Sequence, residues 1–196
     1  MNKPKIFLDL DGVIIEMQLA LMKLWKAEIQ HERDYPPGFL WDIQGAIDHI
    51  RVERGLEPAN MEPKHFWESI HEQWWLNLPM YHGAKHFISV LETIGSVTLA
   101  TAHVSPHCAA AKYRWISRYL PKYVRNTFVG DPKHMLAEPN AILIDDRDKN
   151  CTDFIAEGGK AILVPRPWNA RGYYEGHVFE LVLNQLDKIN RKVTWT

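Results

Sequence analysis

Apolar residues along this chain fall into two rhythms. Ile6–Leu10 is a short β-type run that breaks at Gly12. Leu19, Met22, Trp25 and Ile29 then recur at helical spacing, and Tyr35-Pro36-Pro37-Gly38 makes a loop. Ile43, Ile47 and Ile50 mark a second helix. Pro63 opens a third, with Phe66, Ile70 and Trp74 on one face. From residue 16 to residue 79 the pattern predicts helices and no strand. The rhythm changes after Pro79. Phe87, Val90, Leu91 and Ile94 line a helix ending at Gly95, followed by a strand over Val97–Thr101. Ser105-Pro106 has the form of an N-cap with proline at the first helical position, and Ala109, Tyr113, Ile116 and Leu120 continue that helix. Thr127–Val129 is a weak strand. Ala141–Ile144 is an unbroken apolar run, as in a strand buried on both faces. A short helix over Cys151–Glu157, a strand over Ala161–Val164 and an amphipathic helix through Val178, Val182, Leu186 and Ile189 complete the pattern.

Strands alternating with helices predict an α/β fold with a doubly wound parallel sheet of Rossmann type. The helical block is then an insertion after the first strand. The expected division is a core of residues 1–15 and 80–196 and a small helical cap of residues 16–79. In such sheets ligands bind at the carboxyl ends of the strands, so a block placed there can act as a lid.

Composition narrows the function. The 196 residues are 46% hydrophobic and 24% charged, ordinary for a soluble globular chain able to bury a core without staples. A net charge of −1 offers no field for coating nucleic acid, so no nucleic-acid partner is expected and an anionic ligand needs a local site. Cys108 and Cys151 give neither a disulfide framework nor a zinc pattern and read as reduced thiols. The opening MNKPKIFLDLDG is too short and too acidic for a signal peptide or a membrane span, so no membrane partner is expected and the expected location is cytoplasmic.

The chemistry concentrates at strand ends. Asp9 and Asp11, two apart, share a face if the strand continues through them, although a solvent-exposed turn has the same composition. Ile142-Leu143-Ile144-Asp145-Asp146 is a second apolar strand ending in two carboxylates. In a parallel sheet both ends converge, and four carboxylates at one edge repel strongly unless a hard cation joins them. Oxygen ligands without a His or Cys pattern favour Mg²⁺ over zinc. Thr101 closes another strand and is either a hydroxyl donor to an anion or simply a β-branched strand residue. Lys133, with Lys112 and Lys122 as rivals, is a candidate to neutralise a phosphoryl group, or else a solvated surface lysine.

In order, spacing and residue type, the DLDGV run at 9–13, Thr101, Lys133 and the IDD run at 144–146 resemble the haloacid dehalogenase-like phosphatase superfamily. The chain looks most like its 5'(3')-deoxyribonucleotidases, over about residues 5–169. The likeness extends to Gly38-Phe39-Leu40, Phe66-Trp67-Glu68-Ser69, Trp74-Trp75, Gly83-Ala84 and Lys112-Tyr113-Arg114-Trp115. Ala102 stands where that family has serine, Ser105-Pro106 follows an inserted His103-Val104, and Gly130-Asp131-Pro132-Lys133 replaces a Thr-Arg-Asp-Lys segment.

The resemblance implies a Mg²⁺-dependent phosphomonoesterase acting on a (deoxy)nucleoside monophosphate. Asp9 would be the nucleophile and Asp11 the acid and base. Asp9, the Asp11 carbonyl and Asp146 would hold the metal, with Asp145 behind them. Thr101, the Ala102 amide and Lys133 would grip the phosphate. Phe39, Trp41, Trp75 and Arg166 are the candidates to bind the rest of the substrate, although cap aromatics also serve as cap core; Trp67 and Trp74 fit that role by periodicity. Trp168 and Asn169, after the strand at 161–164, would line the same mouth or lie on the surface. A small ester such as a sugar phosphate, or a catalytically silent binding protein on the same fold, are the competing readings.

Overall fold

The computed structural model describes residues 3–193. Five strands form one parallel sheet: β1 (Lys5–Leu8), β2 (Ser96–Thr101), β3 (Thr127–Val129), β4 (Ala141–Asp145) and β5 (Lys160–Leu163), in the order β3-β2-β1-β4-β5. The two strands that carry acids, β1 and β4, are neighbours at the centre. Every residue of β4 is buried, as its unbroken apolar run requires. Leu8 lies opposite Leu99 on one side and Ile144 on the other, and the Asp9 amide donates to the Ile144 carbonyl at 3.0 Å. This register brings Asp9 level with Asp145 at the carboxyl edge of the sheet. Parallel strands need crossovers, and helices α5 (Ala84–Ile94), α6 (Pro106–Tyr119), α7 (Asp148–Ala156) and α8 (Val178–Val193) follow β1, β2, β4 and β5.

Local rules explain where these elements stop. Ser105 accepts a hydrogen bond from the Cys108 amide at 3.1 Å, capping α6 ahead of Pro106. Gly95 ends α5 in extended backbone. A Cβ there would sit 2.5 Å from the Pro4 carbonyl, so its place reflects close approach to the chain entering β1. Val182 and Leu186 of α8 are fully buried, while Phe179 stacks on Phe87 of α5 at 4.4 Å.

Between β1 and α5 lie α1 (Met17–Leu24), α2 (Ile43–Glu53), α3 (Pro63–Glu68) and α4 (Glu72–Leu76), with no strand among the described residues. Two boundaries differ from the periodicity. The first helix ends at Leu24 instead of running to Ile29, because Lys26 takes a left-handed φ of 57°. The helix expected from Pro63 through Trp74 is broken into α3 and α4. The Ser69 hydroxyl donates back to the Phe66 carbonyl at 2.7 Å at the break. One continuous apolar cluster joins Leu21, Ile47, Phe66 and Trp75 of these helices to Ile6 and Leu8 of the sheet. Both cysteines are buried and unpaired. No helix among the described residues is long and apolar enough to cross a membrane.

Candidate active site

The carboxyl ends of β1, β2 and β4 open into a cavity of about 310 Å³. Its floor is charged. Asp9, Asp145 and Asp146 are almost wholly buried, and an oxygen from each lies within 4.8 Å of the others. Lys133, which follows β3, reaches 2.6 Å to Asp9 Oδ1 and 2.6 Å to Asp145 Oδ2. Asp145 also accepts from the Arg147 amide at 2.8 Å and from Asn150 Nδ2 at 3.1 Å. Its oxygens are therefore occupied by donors, whereas Asp9 meets Lys133 through Oδ1. Asp146 is held from behind: Trp168 Nε1 donates to its Oδ2 at 2.7 Å and Asn169 Nδ2 to its carbonyl at 2.7 Å.

Electrostatics mark this floor as incomplete. Burial pushes the Asp9 carboxyl up from 3.8 to about 7. Lys133 opposes that rise, and the charges of Asp145 and Asp11 add to it. Burial, then Asp9 and Asp145, raise Asp146 well above the ordinary carboxylate range. Burial alone would lower Lys133, but Asp145 and Asp9 hold it charged, above its usual value. Crowded oxygen donors that resist ionisation for want of positive charge fit a divalent oxygen-seeking cation such as Mg²⁺.

The turn after β1 supplies the rest. Gly12 has φ of +72°, and a Cβ on it would fall on Asp146 Oδ2, so only glycine passes the chain this close to the floor. Asp11, just before it, forms an ion pair with Lys112 of α6. Lys112 also donates to Thr101 Oγ1 at 3.0 Å and to the Ala102 carbonyl at 2.5 Å, and lies 5.5 Å from the Trp75 ring. Burial opposes its charge, yet Asp11 raises its pKa. Two of the three candidate lysines are thus in the site. Lys122 instead pairs with Glu92 on the surface.

The structure brings Asp9, Asp11, Ala102, Lys133, Asp145 and Asp146 to one cavity, with Thr101 tied in through Lys112. Trp41 and Trp75 line its upper wall, and so does Trp67, whose periodicity had suggested core alone. Two expected substrate-binding residues are elsewhere. Phe39 packs against His49 at 5.2 Å. Arg166 turns inward: its Nε donates to the Gly12 carbonyl at 2.5 Å, its Nη1 pairs with Glu32 at 3.1 Å, and it lies over the Tyr81 ring at 4.0 Å. A guanidinium with those partners braces the turn that carries Asp11 and is not among the residues that line this cavity. Trp168 and Asn169 are likewise buried supports for Asp146, not mouth residues. Gln18, Asn150 and Arg147 also line the cavity and carry no pattern in the sequence that marks them.

No family model matches the chain, and no curated protein matches it. Solved structures do. A haloacid dehalogenase-like family hydrolase from Xanthomonas campestris is 12% identical, with 97% of this chain and 94% of that one covered and a TM-score of 0.55. A HAD family hydrolase from Deinococcus radiodurans R1, with bound phosphate and sodium, is 13% identical over 81% of this chain and 79% of that one, TM-score 0.53. YfnB from Bacillus subtilis, bound to magnesium, is 13% identical over 84% and 87%, TM-score 0.53. The chain therefore has the parallel α/β fold of the haloacid dehalogenase-like hydrolases.

Proposed function

We propose that this protein is a phosphomonoesterase that hydrolyses a (deoxy)nucleoside monophosphate through an aspartyl-phosphate at Asp9. The observation that carries the reading is the meeting of Asp9, Asp11, Lys112 and Lys133 in one largely buried cavity. An Asp9 oxygen attacks phosphorus as the bond to the leaving oxygen breaks, and Asp11, which must be protonated for this step as Lys112 turns from it to the phosphoryl oxygens, gives its proton to the leaving oxygen. Asp11 then takes a proton from the water that attacks the aspartyl-phosphate, which frees Asp9 and inorganic phosphate. Lys133 orients Asp9 through their 2.6 Å contact. Lys112, joined to Asp11 and Thr101, sets positive charge where phosphoryl oxygens would gather. When bound by Asp9, Asp146 and the Asp11 carbonyl, with Asp145 behind, Mg²⁺ would offset charge on the transferring group. Phosphate and magnesium on related folds in the Deinococcus and Bacillus proteins support this reading.

The nucleotide assignment rests on the indoles of Trp41, Trp67 and Trp75 along the cavity wall. Stacking a base on an aromatic ring contributes about 1–3 kcal/mol in nucleic-acid complexes. The test is phosphate release by the purified protein with Mg²⁺ across deoxy- and ribonucleoside monophosphates and common sugar phosphates. Faster turnover of the nucleotides is expected, and comparable rates on all esters would overturn the assignment. Asp9→Asn should abolish turnover while nucleotide still binds; retained turnover would remove Asp9 as the nucleophile.

A further inference from the structure

Among the described residues, six buried side-chain polar atoms have no hydrogen-bond partner, and four of them belong to residues of this one cavity: Asp11 Oδ1, Gln18 Nε2, Gln18 Oε1 and Trp41 Nε1. Asp11 already has a role in the chemistry, and Trp41 presents a single donor on a large apolar ring. Gln18 is different. It is fully buried, in the first turn of α1, and both ends of its amide are unsatisfied. Its Nε2 lies 3.1 Å from where a Cβ on Gly12 would stand, so it sits beside the turn that carries Asp11. Met17 and Ile43 of the same wall are apolar. A buried amide with no partner lowers stability, whereas leucine or methionine would fill the space at no such cost.

We propose that Gln18 is the specificity-determining residue for the departing part of the ester, pairing its amide N–H and C=O with an acceptor and a donor on the leaving alcohol. The proposal rests on the phosphomonoesterase reading above and adds to it the chemistry of the leaving group. Asp11 would meet the leaving oxygen, and Gln18, on the same cavity lining and beside the Gly12 turn that follows Asp11, is placed to meet the alcohol to which that oxygen belongs. An amide offers adjacent donor and acceptor sites in one plane, which matches the edge of a nucleobase or the hydroxyls of its sugar, and which a plain aromatic alcohol cannot answer. The ligand class is therefore a phosphate ester whose alcohol carries a hydrogen-bonding edge in addition to a flat face for the indoles.

The experiment compares wild type, Gln18→Met and Gln18→Leu on deoxynucleoside 5'-monophosphates and on naphthyl phosphate, a flat ester without donors or acceptors beyond its phosphate. Both variants should lose about 10- to 100-fold in kcat/KM on the nucleotides, chiefly through KM, and stay within about 3-fold of wild type on naphthyl phosphate. Both should melt at or above the wild-type temperature, which a merely structural glutamine would not allow. Equal losses on the two esters, or no loss on either, overturn the assignment of Gln18. So does a changed Mg²⁺ affinity with unchanged ester selectivity, read by the fluorescence of the tryptophans in a metal titration without substrate. Absence of wild-type turnover on every ester would instead refute the phosphomonoesterase reading and, with it, this one.

Discussion

Removing the ionisable group at residue 9 should make the metal-free protein more stable near neutral pH, by an amount that depends on pH in a defined window. Burial displaces the Asp9 carboxyl from 3.8 to about 7 even with Lys133 at 2.6 Å. At about 1.4 kcal/mol for each tenfold change in proton affinity, that displacement amounts to roughly 4 kcal/mol. Below pH 3.8 the group is protonated in folded and unfolded chains alike and costs nothing. As pH rises the unfolded chain releases its proton near 3.8, while the folded chain holds it until about 7. Native stability from this group is therefore present in acid and lost across that window. Asp146 is displaced in the same direction, with Asp9 its largest charged neighbour, so Asp9→Asn removes part of that cost too. In EDTA, urea unfolding of Asp9→Asn and wild type should diverge as pH climbs from 4 to 7, with the variant gaining roughly 4 kcal/mol relative to its parent. Saturating Mg²⁺ should shrink the divergence, because a bound cation favours the ionised carboxylates. A difference that stays flat with pH would refute both the burial argument and the idea that the site is short of positive charge.

Gly12→Ala should cost at least about 2 kcal/mol in denaturant unfolding, since it adds left-handed strain to a Cβ placed on Asp146 Oδ2, and it should abolish phosphate release; wild-type stability would show that the turn can move. The candidate lysines should separate by burial: Lys112→Met leaves Asp11 without its cation and should destabilise by about 3–5 kcal/mol, while Lys122→Ala, at a pair whose lysine is 62% exposed, should stay under about 1 kcal/mol and leave turnover unchanged.

Asp9, Asp145 and Asp146 were legible in the sequence because an apolar strand that ends in carboxylates is a local pattern, and a parallel sheet sends all such ends to one edge. The five-strand layout was legible for the same reason, each strand being a short apolar run between helical repeats. The lysines were legible only as three rivals, with Lys133 singled out by the family resemblance and not by any local pattern. A buried lysine looks like an exposed one until its carboxylate partners are placed, and those lie 101 residues away for Lys112, and for Lys133 are divided between Asp145, 12 residues on, and Asp9 at the end of the first strand. Arg166 shows the converse. Its position after β5 pointed to the cavity mouth, but a loop side chain goes where its partners are, and Glu32, Tyr81 and the Gly12 carbonyl drew it inward. Phe39 likewise found His49. The upper wall of the cavity depended on how α3 and α4 break apart, which no periodicity encodes.

The charges of the site bear on how a phosphate could enter it. Four carboxylates, Asp9, Asp11, Asp145 and Asp146, face two ammonium groups, Lys112 and Lys133. If all ionise, these six groups leave two negative charges, of which the Arg147 guanidinium on the same wall offsets one, and the raised Asp9 and Asp146 reduce what is left. On the proposed reading, holding a proton there would silence Asp9, since a protonated carboxyl cannot attack phosphorus. Under the proposed reading, Asp9 and Asp146 would hold a divalent cation whose charge would offset the excess without protonating Asp9. Lys133 cannot do this alone, because its one charge is divided between Asp9 and Asp145. On the proposed reading, cation demand and activation of Asp9 would be a single requirement, imposed by the register that sets Asp9 beside Asp145.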